Sequence, residues 1–244
     1  MISNPMLQFE VYRIGPEIRL GVVDLSFTNA SLFMAISALI ILFLLFLGTK
    51  KKLLIPSKMQ LITEMSYTFI AKMINDTAGT SAKPFFPFIF TLFMFVLFCN
   101  MIGMLPYSFT VTSHIIVTFM LAAIVFIGVT IIGFIKHGIK YLELFVPKDV
   151  PIALLPLIVS IEIISYLSRP VSLSVRLFAN MLAGHTMLKV FGGFVISLGL
   201  LGGWLPLSFS VALTGLEILI AFLQAYVFAI LTCIYLNDAL NLHH

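Results

Sequence analysis

Residues 30–47 form a mostly apolar run without Asp, Glu, Lys or Arg, and GTKKK closes it at residues 48–52. A run of this length spans a hydrocarbon core of about 30 Å as a helix. Asn29 and Ser31 are candidate caps for its start, and Gly48 is the stop signal. Residues 53–83 follow a different rule. Leu61, Ile62, Met65, Phe69, Ile70 and Met73 recur at helical spacing, with Lys58, Glu64, Lys72 and Asp76 between them. That pattern predicts an amphipathic helix on the membrane surface or against a partner. Residues 84–135 contain no Asp, Glu, Lys or Arg. The run is too long for one crossing, and the Gly, Pro, Ser and Thr of NMIGMLPYSFTVTSH (100–114) divide it into a hairpin, roughly 85–102 and 114–135.

Beyond the polar link ELFVPKDVP (143–151), residues 152 to about 190 form one apolar segment with charges embedded in it. As a helix it measures about 58 Å, nearly twice the hydrocarbon thickness. It must therefore tilt, kink or break. Pro170 is the expected kink. Gly192, Gly193, Gly202, Gly203 and Pro206 mark the expected turn region, and a second long segment spans about 207–238.

Composition supports this reading. The chain of 244 residues is 61% hydrophobic and 10% charged, against about 25% charged in soluble domains. The class predicted is an all-α polytopic membrane protein. It has about five crossing helices, one amphipathic surface helix and two long, strongly tilted C-terminal helices in a hairpin. As a single membrane domain, 1–244 divides into an N-terminal segment (1–28), a transmembrane helix (29–48), a surface helix (53–83), a hairpin (84–136) and a tilted helix pair (149–240). The lysines cluster at 50–83 and 136–149, which puts those loops on the matrix or cytoplasmic side and the N-terminus outside. The first 24 residues mix acids with Arg13 and Arg19, unlike a cleaved signal or transit peptide. Cys99 and Cys233 stand alone in apolar runs and read as small buried hydrophobes.

The candidate chemistry lies in the last 95 residues: Glu162, Arg169, Arg176, Asn180, His185, Lys189, Glu217 and Gln224. An ionisable side chain at the bilayer centre costs on the order of 2.5–3.5 kcal/mol, so such groups face protein or a wet cavity. Glu162, Arg169 and Arg176 are seven apart and share a stripe; Asn180 lies one turn beyond on nearly the same face. Glu217 and Gln224 share a stripe on the other helix. His185, nine residues from Arg176, projects to the opposite side. Arginine keeps its proton at any ordinary pH. It can stabilise a passing carboxylate but cannot relay a proton, whereas His and Glu can exchange one near neutrality. Plainer roles exist for several of these groups: Arg169 paired with Glu162 as packing glue, Lys189 snorkelling to an interface, His185 as a structural residue. No phosphate loop, zinc spacing or nucleophile elbow occurs, so neither a cofactor nor a metal is expected, nor nucleotide hydrolysis by the chain alone.

SLSVRLFANMLAGH (172–185) resembles the signature of subunit a of rotary, F-type ATP synthases. LEILIAFLQAYVFAILTCIYLNDALNLHH (216–244) resembles the C-terminal helix of mitochondrial members, and NPMLQFEVYRIG and LSFTNASLFM also match that group. The resemblance implies a static proton-channel subunit beside a rotating c-ring of membrane-embedded carboxylates, with two offset half-channels. It implies that Arg176 stands between the half-channels, displacing protons from ring carboxylates and blocking a leak. Asn180, His185, Glu217 and Gln224 match inlet positions, and Glu162 an acidic position on the outlet side. The implied partners are the c-ring subunits, the peripheral stalk, other membrane-sector subunits and the lipid bilayer, with no nucleic acid. The histidine-then-glutamate arrangement implies proton rather than sodium coupling. It also implies the mitochondrial inner membrane, with a bacterial plasma membrane as the alternative. Two other readings of the same charges are an ion-coupled secondary transporter, disfavoured by the lack of clear repeats between the two halves, and a membrane scaffold.

Overall fold

A computed structural model describes residues 9–15, 19–20, 23–24, 26–50, 56–105, 108–145 and 154–241. The first residues of NPMLQFEVYRIG, most of the 143–151 link, and His243 and His244 lie outside the described residues. Two short strands, β1 (Arg19–Leu20) and β2 (Val23–Asp24), pair antiparallel. Six α-helices follow: α1 (Asn29–Lys50), α2 (Lys58–Ala78), α3 (Phe86–Gly103), α4 (Ile115–His137), α5 (Leu155–Gly202) and α6 (Trp204–Leu240). All but α2 are long and apolar enough to cross a membrane. The architecture is thus the all-α, polytopic one that the hydrophobic pattern predicts.

Local chemistry sets the helix ends. At the start of α1 the cap is Thr28, ahead of both candidates, Asn29 and Ser31. Its carbonyl accepts from Leu32 N at 3.0 Å and its hydroxyl pairs with Ser31 Oγ at 2.9 Å. Ser57 caps α2, its Oγ accepting from Gln60 N at 3.4 Å. The carbonyls at the end of α3 are met by hydroxyls. Ser108 Oγ reaches Ile102 O at 2.6 Å, and Thr110 Oγ1 donates to Gly103 O at 3.1 Å. These bonds satisfy groups that a helix terminus leaves open, and they hold Thr110 at the head of the α3–α4 hairpin.

Lipid is as apolar as leucine, so close packing rather than water exclusion joins helices in a membrane. On α6, Ala221, Ala225, Ala229 and Cys233 recur every four residues and are fully buried. These small side chains let neighbouring backbones approach. Leu173, Leu177 and Met181 supply the matching buried stripe of α5, and Ile89, Met94 and Val96 that of α3. The buried face of α2 is narrower than its pattern suggests. Ile70, Met73 and Ile74 are inside, while Leu61, Ile62, Met65 and Phe69 stay exposed.

The long C-terminal segment departs from expectation in two places. α5 runs through Pro170, and its only non-helical dihedrals are at Gly199 (φ 58°, ψ −157°). Gly192 and Gly193 lie inside the helix; the turn is made at 199–203. Positive φ explains a glycine at 199, since this corner of dihedral space is open to little else. At 1.5 Å per residue, the 45 residues of Leu155–Gly199 extend about 68 Å. Such a helix lies oblique to the bilayer normal or runs well past the hydrocarbon.

Candidate functional site

Helix α6 turns two polar side chains toward the protein interior. Glu217 and Gln224 are each 4% exposed, on the stripe that carries Ala221 and Ala225. Their partners come from α5. Asn180 Nδ2 donates to Gln224 Oε1 at 3.1 Å, and His185 Nδ1 lies 3.4 Å from Glu217 Oε1. As the number on α5 falls from 185 to 180, that on α6 rises from 217 to 224. The two helices are therefore antiparallel, and both polar pairs occur in one register.

The other face of His185 meets the α3–α4 hairpin. Thr110 Oγ1 is 3.1 Å from His185 Nε2 and also donates to Gly103 O. A hydroxyl has one proton. With that proton on the Gly103 carbonyl, Nε2 must be the donor to Thr110. A neutral imidazole then turns an unprotonated Nδ1 toward Glu217. A hydrogen bond across that gap needs one proton, carried either by the carboxyl or by the ring.

Gly184 makes room for this arrangement. A Cβ there would lie 2.7 Å from Glu217 Oε1 and 3.1 Å from its carboxyl carbon. Asn100 of α3, fully buried, donates Nδ2 to Ala221 O at 3.2 Å, midway between Glu217 and Gln224. Asn100 Oδ1, Gln224 Nε2 and both oxygens of Glu217 are buried without a hydrogen bond to protein. Together they make a polar seam through an otherwise apolar packing.

Arg176 stands elsewhere. It is exposed on α5, with Val171 and Val175 also exposed on the preceding turn. Among the described residues its guanidinium makes no hydrogen bond or ion pair. Glu162 is exposed two stripe positions earlier. The half-turn between Arg176 and His185 predicted from their spacing is realised: one projects outward, the other into the hairpin. Arg169 does not pair with Glu162. Its Nη1 contacts Asp238 Oδ2 of α6 at 3.1 Å. Seven residues of helix rise separate Arg169 from Glu162 by about 10 Å, too far for a close ion pair, whereas Asp238 arrives from the adjacent helix. Lys189 is exposed toward the far end of α5.

Four positions escaped the sequence reading: Thr110, Gly184, Asn100 and Asp238. Gly184 lay within a motif noticed for its charged members. Asn100 read as the first residue of the break at 100–114 rather than as a member of the polar set. Asp238 stands at the end of the second long segment, and only the pairing of α5 with α6 brings it beside Arg169.

The sequence of the chain has relatives along its whole length. The ATP synthase A chain family pattern matches residues 31–237. ATP synthase subunit a of Pelagibacter ubique (strain HTCC1062) is 79% identical over 244 residues, covering 100% of both chains. The subunit a of Chelativorans sp. (strain BNC1) is 58% identical, again over 100% of each. That of Rhizobium leguminosarum bv. trifolii (strain WSM2304) is 58% identical over 99% of this chain and 98% of its own. A hairpin with Arg176 outside and the Glu217 seam inside, in a chain matched along its whole length by these subunits, belongs to the ATP synthase A chain family.

Proposed function

We propose that this chain is the static proton-channel subunit of an ATP synthase membrane motor, with Arg176 as the charge that separates two half-channels. It is not catalytic alone; it works with a c-ring and the other membrane-sector subunits in a lipid bilayer. The bacterial relatives fit the plasma membrane, the second of the two locations named above. The helical hairpin and the relatives lend no support to a secondary transporter.

One observation carries the assignment of roles. Two helices bring His185 to the buried Glu217 and Asn180, exposed on the Arg176 side of α5, to the buried Gln224, while Arg176 makes no hydrogen bond or ion pair among the described residues. The inner seam is the inlet. Glu217 and His185 hold and pass a proton, and Asn180 and Gln224 orient water or a carboxylate without titrating. Buried polar atoms with no protein partner are what water ordinarily satisfies, which supports a hydrated seam through Asn100, Glu217 and Gln224. Arg176 faces the ring. A permanent cation there lowers the cost of ionising an arriving carboxylic acid, so its proton leaves toward the outlet at Glu162. Because the guanidinium keeps its own protons, no proton crosses from inlet to outlet through it.

The test is Arg176→Ala in the assembled complex reconstituted into vesicles. Proton-driven ATP synthesis is expected to vanish while assembly persists. Near-normal coupled synthesis would overturn the role given to Arg176.

A further inference from the structure

Helix α5 carries two permanent cations on one stripe, Arg169 and Arg176, and the fold treats them in opposite ways. Arg169 is held on three sides. Asp238 Oδ2 is 3.1 Å from its Nη1, and the Tyr166 and Tyr235 rings lie 5.3 and 4.9 Å from its guanidinium carbon. A guanidinium is planar, so it can stack on aromatic rings while its edge meets a carboxylate.

Tyr166 is itself anchored. Thr130 Oγ1 gives its proton to Phe126 O at 2.7 Å, so at 2.6 Å it must accept from Tyr166 OH. Tyr166 then accepts from Tyr141 OH at 3.1 Å. Tyr141 is 2% exposed and packs against Gly133, where a Cβ would lie 2.6 Å from its Cζ. The ring beneath Arg169 is thereby tied to α4 and to the 138–145 segment that follows it. Three elements cooperate to pin one arginine; Arg176, two turns away, has no comparable partner among the described residues.

From this contrast we propose that Asp238, with the Tyr166 and Tyr235 rings, is a positioning device. It neutralises and immobilises Arg169 so that mobile carboxylates passing along α5 meet a single available cation, Arg176. The proposal rests on the reading of Arg176 given above. Without the device, Arg169 would be a second cation on the outlet side of the stripe. Carboxylates would dwell there as ion pairs, and rotation would slow. Asp238 acts through Arg169 and touches no transferred proton.

The experiment compares Asp238→Asn, Arg169→Gln and the double variant in the reconstituted complex, each with its assembly checked. Asp238→Asn is expected to lower proton-driven ATP synthesis by about tenfold, because a partly screened charge pair outweighs that factor in dwell time. The double variant, which removes the stray cation together with its clamp, is expected to recover to within about twofold, since the penalty lies in the unpaired charge. A merely structural ion pair would recover as well, so the proposal also requires that Asp238→Asn lose synthesis at the parent's thermal stability of the assembled complex; a loss that only tracks lowered stability overturns it. Activity of Asp238→Asn equal to the parent, or a double variant as impaired as Asp238→Asn, overturns the proposal. If Asp238→Asn does not assemble, Arg169→Lys decides. Lysine keeps the charge but loses the planar stacking, so synthesis should fall, and Arg169→Gln should exceed it; the reverse order overturns the proposal. Arg176→Ala in the same assay reports on the parent reading separately. If its synthesis is lost while the double variant fails to recover, only the Asp238 proposal fails; if its synthesis is normal, the parent reading fails.

Discussion

Glu217 of α6 and His185 of α5 lie 3.4 Å apart, carboxyl oxygen to Nδ1, an ion-pair distance across the contact of the two helices. Neither helix creates this site alone. α6 supplies an acid on a buried, alanine-lined stripe, α5 supplies the ring, and Thr110 meets the ring's other nitrogen.

Glu217→Gln tests the proton-holding role directly. The amide keeps the shape and the hydrogen-bonding capacity but cannot titrate. Proton-driven ATP synthesis is expected to fall by about 10²-fold, the scale of removing a group that takes and gives protons. Proton flux in reconstituted vesicles is the measurement, and flux unchanged from the parent removes Glu217 from the path.

Gly184→Ala tests the room left for the carboxyl. Its Cβ would meet Glu217 Oε1 at 2.7 Å, and overpacking of this kind costs about 1–3 kcal/mol when neighbours must shift. Flux should drop with assembly retained. Adding Glu217→Asp, which draws the carboxyl back toward α6, should restore part of it. No interaction between the two changes in a double-mutant cycle would show that they do not share the space.

Thr110→Val keeps the side-chain shape and removes the acceptor for His185 Nε2. Leaving a buried donor unsatisfied costs about 1–3 kcal/mol, and the imidazole is freed to turn its other nitrogen inward. Slower proton uptake is the expected outcome. Nitrogen NMR of labelled His185 would report the tautomer, and an unchanged tautomer population contradicts the assignment made from the hydroxyl proton.

Ser57→Ala tests the cap of α2. Ser57 Oγ accepts from Gln60 N at 3.4 Å, and loss of such a cap costs about 1 kcal/mol. Amide exchange at Gln60 should accelerate about fivefold, the factor matching that energy, with the later turns of α2 unaffected. Equal exchange rates would mean that water already satisfies this helix end.

Much of the fold was legible in hydrophobic run lengths, because a bilayer imposes a single thickness on every crossing. The two crossings expected at 85–102 and 114–135 appear as Phe86–Gly103 and Ile115–His137, but α6, packed against both, rather than close mutual packing holds them together. The end of α5 was misread because glycines that would break a helix in water are tolerated where no water competes for the backbone. Gly192 and Gly193 stay helical, and only Gly199, with its positive φ, turns the chain.

The same division holds at the site. Helical spacing along one chain determined that Arg176 and His185 face apart, and that Glu217 and Gln224 share a stripe, since each residue advances by about 100° whatever surrounds it. Contacts between helices were beyond its reach. Which acid receives Arg169, which hydroxyl sets the His185 tautomer and which glycine makes room for Glu217 all depend on the registers of α5 against α6 and of α5 against the α3–α4 hairpin. Those registers are decided by close packing of side chains far apart in sequence, so only the tertiary structure could supply Asp238, Thr110 and Gly184.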